Sequence, residues 1–234
     1  MGEKIIEFVD VVKRFEGRAV LNGLSFSVGR GEVFTVLGPS GTGKSVTLKH
    51  IVGLEEPDSG EVRVADVRIG YLFQSGALIA WKTVWENVAL PLLETTRLSG
   101  DEIERRVASA LEAVGLADAA DRYPSELSGG MQKRAGLARA IVRDAEVVLY
   151  DEPTSGLDPV TSAVIERLIV GLNRERGVTS VVVTHDLAMA ARVSSRIMLI
   201  KDGRSVACLP PDEFMRCGSR DVAEFVGAAK GEKS

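Results

Sequence analysis

Gly38-Pro39-Ser40-Gly41-Thr42-Gly43-Lys44-Ser45 fits the pattern G-x-x-x-x-G-K-[ST]. The chemistry of such a run is phosphate binding. Glycines let successive backbone amides turn inward around an anion without interference from Cβ. A helix that opens at the end of the loop adds the positive end of its dipole. Lys44 is then placed to reach β- and γ-phosphates, and the Ser45 hydroxyl to ligate Mg²⁺. The run follows the apolar segment Val33–Leu37 and precedes a helical segment carrying Leu48, Ile51 and Val52, which is the strand–loop–helix context this chemistry needs. A nucleotide is implied, though a phosphate loop alone names no function.

A second set of groups belongs with it. Val147-Val148-Leu149-Tyr150 is a continuous apolar run ending in Asp151 and Glu152, as a strand buried on both faces would read. Carboxylates there stand at the C-terminal edge of a sheet, where open α/β sheets bind ligands. Asp151 would hold the Mg²⁺ shell through water, and Glu152 would orient or activate an attacking water. In isolation the same pair reads as a solvated turn before Pro153. His185 follows the apolar run Ser180–Thr184 and could hydrogen-bond a γ-phosphate, although a histidine at a strand end is more often a surface residue. Gln74 ends another run, Ile69–Phe73, from which its amide could meet the metal or the water. Leu127-Ser128-Gly129-Gly130-Met131 leads straight into a helix. Serine and two glycines at that point make either a second anion-binding device or an ordinary N-cap. Two anion sites for one triphosphate are consistent if each comes from a different copy, in a head-to-tail dimer.

The elements that must position these residues follow from periodicity. Ile5–Val11, Val33–Leu37, Ile69–Phe73, Val147–Tyr150, Ser180–Thr184 and Ile197–Ile200 read as strands. Ile103, Val107, Leu111 and Val114 recur at helical spacing behind Ser99 and Glu102, a capping-box pattern, with Gly115 as the stop. A second helix shows Met131, Ala135, Ala138 and Val142 on one face with Lys133, Arg134 and Arg143 elsewhere, and a third runs from Pro159 to about Leu172. The middle, 76–143, is mainly helical and the flanks, 1–75 and 144–234, hold the strands. The expectation is a mixed-sheet α/β body with a helical subdomain inserted in it. The tail Ala228–Ser234 is small and charged and is expected to fray.

Composition narrows the class. Of 234 residues, 45% are hydrophobic and 26% charged, as in an ordinary globular chain. A net charge of −4 provides no broad basic surface for nucleic acid. No apolar run reaches the ~18 residues of a membrane span, the N-terminus carries no signal-peptide pattern, and Cys208 and Cys217 suit a reducing compartment.

Taken in order, the phosphate loop, Gln74, Leu127–Met131, Val147–Glu152, Ser155-Gly156-Leu157-Asp158 and His185 resemble the nucleotide-binding domain of ABC transporters over nearly the whole chain. That resemblance implies a P-loop NTPase cassette with a RecA-like core, an antiparallel β-subdomain and the inserted helical subdomain. It implies a Mg²⁺-dependent ATPase that dimerises head to tail, sandwiching ATP between the phosphate loop of one copy and Ser128-Gly129-Gly130-Met131 of the other. Phe15, 23 positions before the loop, becomes the adenine-stacking aromatic, with a core phenylalanine as the alternative. Asp158 falls at the dimer seam. An integral-membrane permease follows as a separate partner, with the chain peripheral on the cytoplasmic face of the inner membrane. Ala77–Trp85, holding both tryptophans, would be the docking surface unless they are core residues.

A narrower resemblance is carried by Phe73-Gln74-Ser75-Gly76-Ala77-Leu78, Thr83-Val84-Trp85-Glu86-Asn87-Val88 and Gly130-Met131-Gln132-Lys133-Arg134. These are similar to the ATPases of the Mla/Mce lipid-transport systems, implying phospholipid traffic and an Mce-type lipid-binding subunit. Alternatives are another export or lipoprotein-release system, a soluble ABC ATPase acting on DNA or ribosomes, and a nucleotide-dependent assembly switch. Coiled-coil insertions, tandem cassettes and basic surfaces, which would favour a DNA or ribosome partner, are missing. Glu152 and His185 argue against a switch that scarcely hydrolyses. Two departures stand out. Val46 replaces the threonine common in relatives, leaving its backbone amide for phosphate. Lys44 and Gln74 stand only 30 positions apart, so the segment 61–69 has lost an excursion usual in the family.

Overall fold

The computed structural model describes residues 3–231, in the order β1 (Lys4–Phe15), β2 (Arg18–Gly29), β3 (Val33–Leu37), α1 (Lys44–Ile51), β4 (Ser59–Val64), β5 (Ile69–Leu72), α2 (Val84–Thr95), α3 (Gly100–Ala113) and α4 (Gly129–Ile141). Next come β6 (Val147–Asp151), α5 (Pro159–Arg176), β7 (Thr179–Thr184), α6 (Leu187–Val193), β8 (Arg196–Lys201), β9 (Arg204–Leu209), α7 (Pro211–Met215) and α8 (Arg220–Gly231). Two short 3₁₀ turns, Ala117–Ala119 and Pro124–Glu126, lie between α3 and α4. The chain divides into two compact units. One contains the residues up to Asp66 together with those from Leu172 onward, and the other is Val67–Gly171.

The first unit holds two strand systems. An antiparallel sheet has the order β2-β1-β4. In the other system β3 runs parallel to both β7 and β8, and β9 closes it antiparallel to β8. All five residues of β3 and all six of β7 are buried, and neither strand carries a charged residue, as burial on both faces requires. Phe26 stacks between Phe8 and Phe34, with centroids 4.5 and 5.3 Å away. On the C-terminal side Phe214, Val222 and Val226 pack with Leu37, Leu187 and Leu199.

The second unit pairs β5 and β6 in parallel and carries α2, α3, α4 and most of α5. A full capping box opens α2. Thr83 Oγ1 accepts the Glu86 amide at 3.2 Å, and the Glu86 carboxylate accepts the Thr83 amide at 2.7 Å. Buried Asn87 ties down the loop before it, donating to the carbonyls of Ile79 and Lys82 and accepting the Ile79 amide. At the end of α3, Gly115 (φ 66°) makes a Schellman stop. Its amide donates to Glu112, and that of Leu116 donates to Leu111.

Several sequence expectations need correction. At α3 only half of the capping box forms. Ser99 Oγ accepts the Glu102 amide, but the Glu102 carboxylate instead takes the guanidinium of Arg106 at 2.7 Å and also that of Arg105. Lys133, set apart from the apolar face of α4, is nevertheless buried, at 6% exposed. Residues 228–231 are the last turn of α8 rather than a fraying tail, while 232–234 and residues 1–2 lie outside the described residues. Strands β2, β4 and β9 were not among the expected strands; polar residues and glycines interrupt β2 and β4. Between β4 and β5 only residues 65–68 intervene, the shortened connection expected from the Lys44–Gln74 spacing.

Candidate functional site

In the first unit the phosphate loop leaves β3 beside the end of β7. Leu37 pairs with Thr184, and the Gly38 amide donates to the Thr184 carbonyl at 3.3 Å. Gly38 and His185, each one step past its strand, therefore start from adjacent points of one sheet edge. A Cβ on Gly38 would lie 2.6 Å from the Ile200 carbonyl oxygen, so only glycine fits. Gly43 has φ 95° and caps α1 without any side-chain acceptor. A Cβ there would meet Leu21 at 2.8 Å. No acidic residue stands in the first turn of α1, so no carboxylate of the helix itself offsets its positive end.

Lys44 is 6% exposed, and its Nζ donates to the carbonyls of Gly38 at 2.8 Å and Pro39 at 2.9 Å. The ammonium thus bridges the loop it follows. Thr42 Oγ1 donates to Pro39 at 2.9 Å and Thr47 Oγ1 to Gly43 at 3.1 Å. Pro39, Ser40 and Gly41 are exposed, whereas Ser45 and Val46 are half-buried. His185 is exposed, and Asp186 beside it is committed to capping α6 through the amides of Ala188 and Met189. Phe15, at the end of β1, is 40% exposed. The Lys13 ammonium stands 5.4 Å from its ring centroid, a cation–π distance.

In the second unit Leu72 pairs with Tyr150, so Gln74 and the Asp151-Glu152 pair leave adjacent strands close together. Gln74 is exposed, and Asp151 and Glu152 are half-buried. The Tyr71 hydroxyl donates to Asp151 Oδ2 at 3.4 Å. Burial, then the neighbouring Asp151 charge, push the Tyr71 phenol pKa well up, so it stays a proton donor. Phe73 stacks on Tyr71 with centroids 4.2 Å apart. The backbone after Gln74 is pinned to α4. Arg139 donates to the carbonyls of Gly76 and Ala77 at 2.9 and 2.8 Å, and a Cβ on Gly136 would lie 2.9 Å from the Gly76 carbonyl oxygen and one on Gly76 2.8 Å from that of Gln132.

Ser128 Oγ accepts the Met131 amide at 3.3 Å and so is the N-cap of α4. Ser128 and Gly129 are exposed, Gly130 is buried and Met131 half-buried. Like α1, α4 has no acidic residue in its first turn, whereas α2 has Glu86 and α3 has Asp101 and Glu102. Asp158 is turned onto its own segment, accepting the Thr161 hydroxyl at 2.5 Å and the amides of Val160 and Thr161. The Thr161 hydroxyl is the main reason its carboxyl pKa lies below the ordinary aspartate range. Two residues missed by the sequence reading join this set, Tyr71 at Asp151 and Lys133 at the Glu152 carbonyl.

Among the described residues no three His, Cys, Asp or Glu side chains gather into a metal cluster. No helix of the described residues is long and apolar enough to cross a membrane.

A family model described as ABC transporter matches residues 21–155. The chain belongs to the ABC transporter family. It is an ABC-type ATPase domain with the P-loop NTPase fold of that family. It is 41% identical to the methionine import ATP-binding protein MetN of Caulobacter vibrioides, across 97% of this chain and 74% of that protein. It is also 41% identical to the chloroplastic protein TRIGALACTOSYLDIACYLGLYCEROL 3 of Arabidopsis thaliana, across 94% of this chain and 73% of that one. Both alignments, of 246 and 251 positions, exceed the 234 residues of the chain, so those relatives carry insertions that this ABC domain lacks. Other MetN relatives are longer still, and the chain spans only 58 to 64% of them. Among solved structures, a dimeric ATP-binding cassette in a post-hydrolysis state, bound to ADP and Pi, matches with a TM-score of 0.80 at 34% identity, over 88% of this chain and 99% of that one. CbiO1 of Clostridium perfringens, part of an ABC transporter complex, matches with a TM-score of 0.84 at 27% identity, over 99% of this chain and 97% of that one.

Proposed function

We propose that this ABC ATPase domain binds and hydrolyses Mg·ATP as the motor subunit of a transporter whose membrane-spanning permease is another chain. The observation that carries it is the phosphate loop. Buried Lys44 is fixed across the loop, an acid-free helix N-terminus stands behind it, and His185 leaves the neighbouring strand. In this reading the loop amides from Gly38 to Val46 and the Lys44 ammonium hold the β- and γ-phosphates, and Phe15 stacks on adenine. Ser45, Gln74 and Asp151 would be the groups that hold Mg²⁺ in this reading. Its chemistry, when bound, is to neutralise charge on the phosphates. Glu152 orients the attacking water and takes its proton, and His185 hydrogen-bonds the γ-phosphate. Ser128, Gly129, Gly130 and Met131 meet the nucleotide of a second copy in a head-to-tail dimer, with residues 76–143 acting as the helical signalling subdomain. The dimeric state of the related cassette supports this arrangement.

Permease docking is assigned to the loop before α2. Trp81 is 79% exposed on a loop held by Asn87, as an interface aromatic would be. The chain would then sit peripherally on the cytoplasmic face of the inner membrane, without a nucleic-acid partner. For cargo, the segments Phe73–Leu78 and Gly130–Arg134 favour lipid, with an Mce-type lipid-binding subunit, and the plant relative bearing a galactolipid's name supports that class. Methionine import is the second reading, favoured by the MetN relatives.

The test is co-purification from native membranes, with attached proteins and bound lipids identified by mass spectrometry and the ATPase assayed with and without methionine. A permease with a lipid-binding subunit supports the lipid reading; a permease whose ATPase answers to methionine overturns it. Recovery with ribosomes or DNA-repair proteins would overturn the transporter reading.

A further inference from the structure

Lys133 projects from α4 two residues after Met131, into the turn that follows β6. Its Nζ donates to the Ser155 carbonyl at 2.5 Å and to the Glu152 carbonyl at 3.3 Å. The Ser155 amide also donates to the Glu152 carbonyl, at 3.1 Å. The turn 152–155 therefore closes on the ammonium. Glu152 has φ 46°, a left-handed conformation that an L residue keeps only where its surroundings hold it. A second contact joins the same two segments. Gly130 is so close to Thr161 that a Cβ would lie 2.2 Å from its Cγ2, and Thr161 is tied in turn to Asp158. Burial lowers the pKa of Lys133, and the Glu152 charge opposes that shift. A greasy residue would fill this space without the cost of burying a cation. The two inward-facing carbonyls supply the reason for a donor.

We propose that Lys133 is a positioning residue. From the helix opened by Ser128-Gly129-Gly130 it fixes the backbone of Glu152, so that the carboxylate stands ready for water only while α4 and the turn are engaged. The inference rests on the reading of Glu152 as the group that activates water. A strut of this kind makes one rigid piece of the segment that meets a second copy's nucleotide and the segment that serves the chain's own. Its effect belongs in turnover rather than in nucleotide affinity, because Lys133 touches carbonyls and not the phosphate loop.

The test uses the full chain as Lys133→Met, Lys133→Arg and Lys133→Gln beside the unchanged protein and Glu152→Gln. Melting temperature, binding of a fluorescent ATP analogue, and kcat and KM for ATP are measured for each. Lys133→Met is expected to lower kcat at least tenfold, with KM and analogue affinity within threefold of the unchanged protein. Lys133→Arg, which still donates to both carbonyls, is expected to restore kcat to within threefold. A Lys133→Met kcat within twofold of the unchanged protein overturns the proposal, as does a loss confined to KM. Should Lys133→Met fail to fold, Lys133→Gln replaces it, and its kcat must fall below that of Lys133→Arg. An inactive unchanged protein, or a fully active Glu152→Gln, instead defeats the ATPase reading. Activity that is lost in Glu152→Gln and kept in Lys133→Met defeats only the strut.

Discussion

The Tyr71 hydroxyl donates to Asp151 Oδ2 at 3.4 Å, from one strand of a parallel pair to the end of the other. β6 delivers Asp151 to the sheet edge, and β5 supplies the neighbour that limits where its carboxylate can turn. Burial, then the Asp151 charge, hold the Tyr71 phenol pKa above its ordinary value, so near neutral pH the hydroxyl keeps the proton it donates.

Removing that hydroxyl should loosen Asp151, the carboxylate proposed for Mg²⁺. Tyr71→Phe is expected to raise the Mg²⁺ concentration for half-maximal ATPase several-fold while kcat at saturating Mg²⁺ stays within threefold. The cost in folding stability should be small, at the lower end of the ~0.5–1.5 kcal/mol typical of one hydrogen bond, because the contact is long. A Mg²⁺ titration superimposable on that of the unchanged protein would leave Asp151 positioned by other means.

Lys44 has a sharper expectation. Its ammonium crosses to two backbone carbonyls of the loop proposed to hold phosphate. Lys44→Ala should leave the melting temperature of the nucleotide-free protein within a few degrees and abolish the rise that ATP produces. Thermal unfolding with and without Mg·ATP measures both. A full ATP-induced rise in the variant would remove Lys44 from the binding role.

What could be read from the chain before its structure divides along physical lines. The phosphate loop was legible because its requirements are local: glycine backbone, a following helix and a lysine at fixed offset. β3 and β7 were legible because burial on both faces leaves short valine-rich or aliphatic segments without a charged residue. β4, Ser59–Val64, has four of its six residues polar or glycine and no buried position, so its pairing with β1 decides its state rather than its composition. At Ser99 the local pattern was right, yet Arg106, one turn along α3, competes for the Glu102 carboxylate and takes it. Lys133 was unreadable as a strut because its acceptors are 19 and 22 residues away. Helical periodicity set it apart from the apolar face of α4, and the packing of the turn after β6 buries it.

Glu152→Gln separates binding from chemistry. The amide keeps the shape of the side chain and cannot accept a proton, so ATP binding should persist while kcat falls by about 10²–10⁴, the usual range for a lost general base. With turnover stalled, Mg·ATP is expected to shift the variant to a dimer on size-exclusion chromatography, whereas the unchanged protein returns to monomer as ATP is consumed. A purified monomer that hydrolyses ATP at full rate at high dilution would dispose of the shared-site arrangement.

Gly130 tests how tightly the start of α4 is seated on the segment after Glu152. A methyl group there would press into Thr161 Cγ2 at 2.2 Å, and Thr161 cannot rotate away without giving up its bond to Asp158. Gly130→Ala is therefore expected to destabilise the fold by about 1–3 kcal/mol, the usual cost of overpacking, despite its better helix propensity. Thr161→Ser removes the offending methyl and keeps the hydroxyl that Asp158 accepts, so Gly130→Ala/Thr161→Ser should recover at least half of the loss. The two sites touch, and their effects must be non-additive in this direction. Urea unfolding midpoints of the single and double variants decide it: a Gly130→Ala midpoint equal to that of the unchanged protein would mean that the two helix starts have room between them, and the coupling drawn through Lys133 would then stand without this second contact.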